Sequence, residues 1–298
     1  MGKHNNLSVK ENFIHGLFFL NGLLVVVLLV GIFALLVAKS VPAFKDISIS
    51  EFLFSAKWNP TATFVPPSYG IKSMLVSTLF VSIGALIIAI PLGIGASAYL
   101  SDVAGRRTRE IVKPVIEILA GIPSVVIGFL GIVLVGPMIA RIFHIPNGLN
   151  ALNGSILLAV MALPTIISMS EDALNSVPKS FEEASLALGA TKWQTLVRVK
   201  IPAALSGIIA ASMLGMGRAI GETMTVLMAT GCAIAMPTSF LQSVQTMTST
   251  IAIELGEVPY DTTHYYALFG IGLVLFIITF VVNMIADIAL HRYQRVVK

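Results

Sequence analysis

The stretch Pro178–Pro202, PKSFEEASLALGATKWQTLVRVKIP, interrupts an otherwise very apolar chain with charged and polar residues. Its pattern predicts a helix over Phe181–Leu188, a break at Gly189, a second short helix over Lys192–Lys200 and a proline stop at Pro202. Flanked by apolar spans and carrying Lys179, Lys192, Arg198 and Lys200, this helix–turn–helix reads as a compact cytoplasmic knob able to dock into another protein. The competing reading is an amphipathic interfacial hairpin without a partner.

Outward from the knob, composition decides the class. Of 298 residues, 56% are hydrophobic and 11% charged, and the mean hydropathy is +0.90. Such a chain is an all-α polytopic membrane protein and not a soluble domain. Several apolar runs exceed the ~18 residues of a spanning helix, and they replace the alternation that a membrane β-barrel needs. Six spans are expected, at about Phe13–Ala38, Met74–Leu100, Val115–Phe143, Ser155–Ser170, Ala203–Thr230 and Tyr266–Leu290. The fourth is short and carries Pro164. The first is longer than the roughly 7–15 apolar residues of a signal peptide, and is expected to be retained.

Basic residues set the orientation. With the N-terminus inside, the cytoplasmic segments hold Lys3, Lys10, Arg106, Arg107, Arg109, Lys113, the four cations of the knob, Arg292, Arg295 and Lys298. The outside keeps Lys39, Lys45, Lys57, Lys72 and Arg141, and Gly231–His264 has neither Lys nor Arg. The positive-inside rule therefore places both termini in the cytoplasm. The net charge of +4 follows from this asymmetry and calls for no nucleic-acid partner.

Two outside segments are long enough to contact an extracytoplasmic partner or to be solvated connectors. Lys39–Lys72, with Trp58, Pro60, Pro66 and Pro67, is expected to begin as a short interfacial helix and continue extended. Gly231–His264 is rich in Ser, Thr and Gln and holds Glu254, Glu257 and Asp261.

Several chemistries are missing. No G-x-x-x-x-G-K-[ST] phosphate loop occurs, so this chain is expected to hydrolyse no ATP by itself. There is no H-E-x-x-H, no G-x-S-x-G and no His or carboxylate cluster at metal-ligand spacing. A single cysteine, Cys232, allows no internal disulfide. No catalytic residue, metal or resident cofactor is expected.

Within the fifth span, Arg218 and Glu222 stand four residues apart and are expected to share one helix face. A charge at the bilayer centre costs at least ~2.5–3.5 kcal/mol, so both are expected to face protein or water. One reading is an internal ion pair. The other is an anion contact, because the planar guanidinium fork suits phosphate-like oxyanions. Gly215, Gly217 and Gly221 would let another helix approach, or serve plain packing.

The knob resembles the EAA loop of ATP-binding-cassette (ABC) importer permeases, E-A-A, three residues, G, nine residues, I-x-L-P. Glu183, Ala184, Gly189 and Pro202 match in register, while Ser185, Val199 and Ile201 are conservative departures. GMGRAIGETMTV at Gly215–Val226 and LAGIPSVVIGFLG at Leu119–Gly131 resemble signatures of the phosphate-specific group. The last span, LFGIGLVLFIITFVVNMIADIAL, and the long first outside loop are similar to its PstC-type subunits more than to the PstA-type sister.

The resemblance implies a type I (MetI-like) permease with six transmembrane helices. It divides the chain into an N-terminal helix and outside loop, 1–70, and a permease core, 71–298, with the coupling loop at 178–202. It implies a transport subunit for inorganic phosphate in a bacterial or archaeal plasma membrane. The partners would be a homologous PstA-type permease, two PstB-type ATPases that bind ATP and Mg, a PstS-type extracytoplasmic phosphate-binding protein, and membrane lipid. Arg218 would contact phosphate with Glu222 as its switchable partner, and Thr223 and Thr225 as hydroxyl contacts. Ser124 would line the path, unless its hydroxyl bonds within its own helix. Glu183, Ala184, Ser185, Gly189 and Pro202 would form the ATPase-coupling surface. The rival readings are a permease for sulfate or molybdate and a secondary transporter, the latter usually marked by internal repeats and more spans.

Overall fold

In hydrocarbon every backbone N–H and C=O needs a partner inside the chain, so apolar runs of this length fold as helices. The computed structural model describes residues 2–62 and 64–296, with side chains from Ile14 to Ile288 except Thr63 and Ala286. The cations Lys3, Lys10, Arg292, Arg295 and Lys298 therefore lie outside the described side chains.

Helix α1, Gly2–Ser40, leads through a 3-10 turn at Val41–Lys45 into the short helix α2, Ile49–Phe54. Two-residue strands β1, Trp58–Asn59, and β2, Ser68–Tyr69, pair antiparallel with Trp58 opposite Tyr69. Helix α3, Lys72–Ala98, ends in a π turn at Tyr99–Val103. Helix α4, Arg106–Gly121, follows without a buried residue. A third span is assembled from α5, Ser124–Leu130, a π turn at Gly131–Val135, and α6, Gly136–Phe143.

The long α7, Ala151–Asn175, is capped by Asn150, whose side chain accepts from the Asn153 N–H. Its tight packing on α3 and α11 forms the centre of the molecule, around Val81, Ala85, Ala89, Leu158, Ala162 and Ile166. Gly93 and Gly215 permit this closeness, since a Cβ on either would lie 2.5–2.8 Å from Ile166 side-chain atoms. The knob consists of α8, Lys179–Ala187, α9, Lys192–Thr195, a π turn at Leu196–Lys200 and α10, Ile201–Ala203. Then come α11, Leu205–Gly221, α12, Met224–Ala229, α13, Met247–Glu254, and α14, Thr263–Val296.

Among the described residues five helices are long and apolar enough to cross a membrane, and the bent pair Lys192–Ala203 and Leu205–Gly221, with 69° between its halves, makes six if it is counted as one span. Three expectations are corrected. The third span begins at Ser124 and not at Val115, because Gly121, Ile122 and Pro123 break the helix and leave α4 as a separate amphipathic element. Pro202 does not stop the knob's second helix. The π turn bonds Ile201 N–H to Leu196 O, Pro202 sits in the next first turn where its missing N–H costs nothing, and the chain turns at Ala204. The fifth span is not continuous to Thr230, since α11 ends at Gly221.

The outside segments are not loose connectors. A cluster of Ala43, Ile47, Phe52, Trp58, Ile71 and Met74 with Met247, Leu268 and Ile271 joins the first to α13 and α14. The second re-enters the protein. Phe240 stacks on Phe80 at 4.0 Å, Ala151 and Leu152 N–H donate to the Gln242 and Phe240 carbonyls, and Val244 to Thr250 are all buried.

Candidate functional site

Arg218 lies in the last turn of α11 and is exposed, on one stripe with exposed Leu214 and Gly221. Beyond Gly221 the backbone of Glu222 is extended, φ −69°, ψ 135°, so Glu222 does not share a helical face with Arg218. Among the described residues no ion pair joins the two. The expectation of an i, i+4 pair is thus corrected. The helix ends at Gly221, a weak helix former, where the Glu222 backbone turns extended and its carboxylate bonds forward to the Thr225 N–H.

Glu222 instead turns to the next helix. Its Oε1 accepts from the Thr225 N–H at 3.3 Å and lies 3.4 Å from the Thr225 hydroxyl, in the manner of an N-terminal cap on α12. The buried Thr225 hydroxyl also lies 3.1 Å from the Ser124 carbonyl. Glu222, Thr225 and Ser124 are thereby brought together, whereas Arg218 is exposed on α11. Thr223 contributes only a 3.5 Å contact to the Gly221 carbonyl. From the re-entrant α13, Thr248 donates to the Glu222 carbonyl at 2.8 Å. The Thr248 hydroxyl thereby satisfies a carbonyl that the helix break leaves without a helical partner. Sequence reasoning missed Thr248 and the break itself. The run Gly221-Glu222-Thr223 before an apolar stretch was the available signal for the break.

The knob exposes most of its sequence-marked residues and turns Ser185 inward. Gly189 has φ +85°, and its N–H donates to the Leu186 carbonyl at 2.9 Å while Ala190 N–H donates to Ser185 O at 3.2 Å. A residue with a Cβ would be strained there although the space is open. Thr191 and Gln194 form a capping box that starts α9. Ser185 Oγ meets Thr195 Oγ1 at 2.9 Å, locking α8 on α9. Glu183, Ala184, Gly189 and Pro202 are exposed, and Leu188 and Trp193 are 90% and 69% exposed. Lys179, Lys192 and Arg198 stay exposed, but Lys200 is drawn inward to Asp102.

Residues 89–298 match the family described as binding-protein-dependent transport system inner membrane component. The chain belongs to this family. Members of related sequence include the probable ABC transporter permease protein YqgH of Bacillus subtilis, 41% identical over 78% of this chain and 75% of that protein. The phosphate transport system permease protein PstC of Mesorhizobium japonicum is 35% identical over 91% of this chain and 86% of its own length. Among solved structures, an alginate ABC transporter chain aligns over 98% of this chain and 97% of its own, with a TM-score of 0.64 and 16% identity. A MetNI methionine ABC transporter chain aligns over 75% and 94%, with a TM-score of 0.56 and 21% identity. The fold is that of a MetI-like ABC importer permease, a multi-pass inner-membrane component.

Proposed function

We propose that this permease is a transmembrane subunit of an ATP-driven importer of inorganic phosphate and builds the translocation path together with a homologous permease. Two ATPase subunits carrying ATP and Mg dock on the cytoplasmic loops, and an extracytoplasmic binding protein delivers the anion. Both termini lie in the cytoplasm of a bacterial or archaeal cell.

The observation that carries this reading is an exposed arginine on a spanning helix next to a helix break. An arginine turned to lipid is costly, so the stripe of Leu214, Arg218 and Gly221 faces the partner permease or the aqueous path. Phosphate bears one to two negative charges near neutral pH, and a guanidinium fork replaces part of its hydration. The similarity to PstC proteins supports phosphate as the anion. Glu222, parked on the α12 N-terminus through Thr225, leaves Arg218 open to the anion. After release, rotation of the carboxylate away from Thr225 lets it approach the arginine and restore neutrality. Ser124, Thr223 and Thr225 are polar neighbours of that movement. Sulfate or molybdate would suit the same fork, so uptake by the reconstituted complex is measured with these anions as competitors.

The deciding variants are Arg218→Ala, Arg218→Lys and the double change Arg218→Met with Glu222→Met. The expected outcome is assembly with loss of phosphate uptake in all three. Recovery of both assembly and uptake in the double variant would remove the anion-contact role of the arginine.

A further inference from the structure

Lys200 matches the variable position of the coupling-loop pattern and by composition belongs to the docking charges. The structure turns it inward. Its ammonium pairs with the Asp102 carboxylate and donates to Ser101 Oγ at 3.2 Å, and the two side chains are only 12% and 18% exposed. Ser101 Oγ in turn donates to Asn175 Oδ1 at 3.0 Å, at the end of α7. From α4, the Arg109 guanidinium donates to the Leu100 carbonyl at 2.9 Å and the Ser101 carbonyl at 2.7 Å. The exit of the knob and the cytoplasmic ends of α3, α4 and α7 thus meet within three residues, Leu100 to Asp102.

Both members of the pair sit in π turns, Asp102 in Tyr99–Val103 and Lys200 in Leu196–Lys200. Such widened turns occur frequently at functional positions. The covalent route from the knob into the membrane offers a poorer path for force, because it passes a 69° bend between α10 and α11. An apolar cluster of Ala98, Leu174, Leu196, Ala204 and Ile208 seats the base of the knob independently of the ion pair. Beside the pair lies a cavity of about 260 Å³, reaching Lys179, Phe181 and Glu182 on α8.

We propose that Lys200 and Asp102 are positioning residues that carry displacement of the knob to α3 and α7. This rests on the reading of the chain as a permease driven through its docked ATPases. The ion pair adds a directional polar link to the contact that the apolar cluster already makes between the knob and α3 and α7.

The test uses the full complex in vesicles, with anion uptake and ATP hydrolysis measured together. Lys200→Met and Asp102→Asn are expected to keep ATPase co-purification and hydrolysis but to raise the ATP used per phosphate severalfold. Lys200→Arg, which retains the pair, is expected to keep the ratio near that of the unmodified complex. A ratio unchanged in Asp102→Asn overturns the proposal, and so does a ratio raised equally in Lys200→Arg. If Lys200→Met fails to assemble, Asp102→Asn decides alone, because it keeps the shape and an acceptor. Failure of the unmodified complex to bind ATPase subunits would instead strike the permease-subunit reading.

Discussion

The two ends of the molecule are finished differently. At the end opposite the knob, Trp58 is 6% exposed, donates through Nε1 to both Glu254 carboxylate oxygens at 3.0 and 3.1 Å, and meets Tyr69 and His264 edge-on. His264 Nε2 closes the cluster at 2.7 Å from Glu254. At the end that carries the knob, α8 buries nothing, and Leu188 and Trp193 stand in the open. One tryptophan is a core residue and the other is an exposed one. The Trp58 cluster satisfies its indole, carboxylate and imidazole within one chain. An end that leaves a tryptophan and a leucine exposed on a rigid capped turn presents a surface for a partner.

Substituting the two tryptophans sharpens this contrast most. Trp58→Ala should destabilise the purified protein by about 3–5 kcal/mol, the usual cost of emptying a buried aromatic site, seen as a large drop in its thermal midpoint. Trp58→Phe retains most of the packing but removes the indole N–H that donates to the Glu254 carboxylate, leaving it His264, which should cost about 1.5–3 kcal/mol. Trp193→Ala should change the thermal midpoint little, within about 0.5 kcal/mol for an exposed site, yet lower ATPase co-purification. Equal thermal losses at both tryptophans would erase the distinction.

The knob's geometry gives the next test. Gly189→Pro demands φ near −65° where the chain has +85°. It should lower uptake and uncouple or abolish ATP hydrolysis while the spans still insert. Ala184→Trp should act differently. Ala184 is exposed, so a bulky side chain leaves the fold intact and interferes only with what docks against it. Normal coupled transport in both variants would remove the docking role of this surface.

Much of this was legible in the sequence because the decisive signals are local. Apolar length announces a span, and Gly189 after a short amphipathic run announces the turn of the knob. The break after Gly221 was hidden because hydropathy averages across it and Met224–Ala229 is again apolar. The re-entrant segment was hidden for the opposite reason. Thr246, Thr248, Ser249 and Thr250 read as solvated, yet they bond to one another, to Glu222 O and to the Met74 sulfur, so burial leaves their hydroxyls satisfied. The Lys200–Asp102 pair joins residues 98 positions apart, a separation that no single-sequence pattern reports.

The smallest expected effect concerns which side each end faces. In a Cys232→Ser background, a cysteine at Ser239 should react with an impermeant thiol reagent from outside, and one at Lys192 only after the membrane is opened. Both positions are exposed, so access and not burial sets the rate. The reverse pattern would invert the comparison between the outer cap and the cytoplasmic knob. Cys232 itself is a poor reporter for a physical reason. It is half-buried, its Sγ donates to the Leu227 carbonyl at 3.1 Å, and burial pushes its thiol above the ordinary range. A raised pKa leaves less thiolate at neutral pH, and the thiolate is the nucleophile. Labelling of the native cysteine should therefore be slow near pH 7 and accelerate as pH rises through and beyond the ordinary thiol range of about 8.5. The Ser239→Cys site, being exposed, should reach its plateau at lower pH. Matching pH profiles at the two sites would mean that the turn after α12 is open to water, and that the outer end is less closed than its buried neighbours indicate.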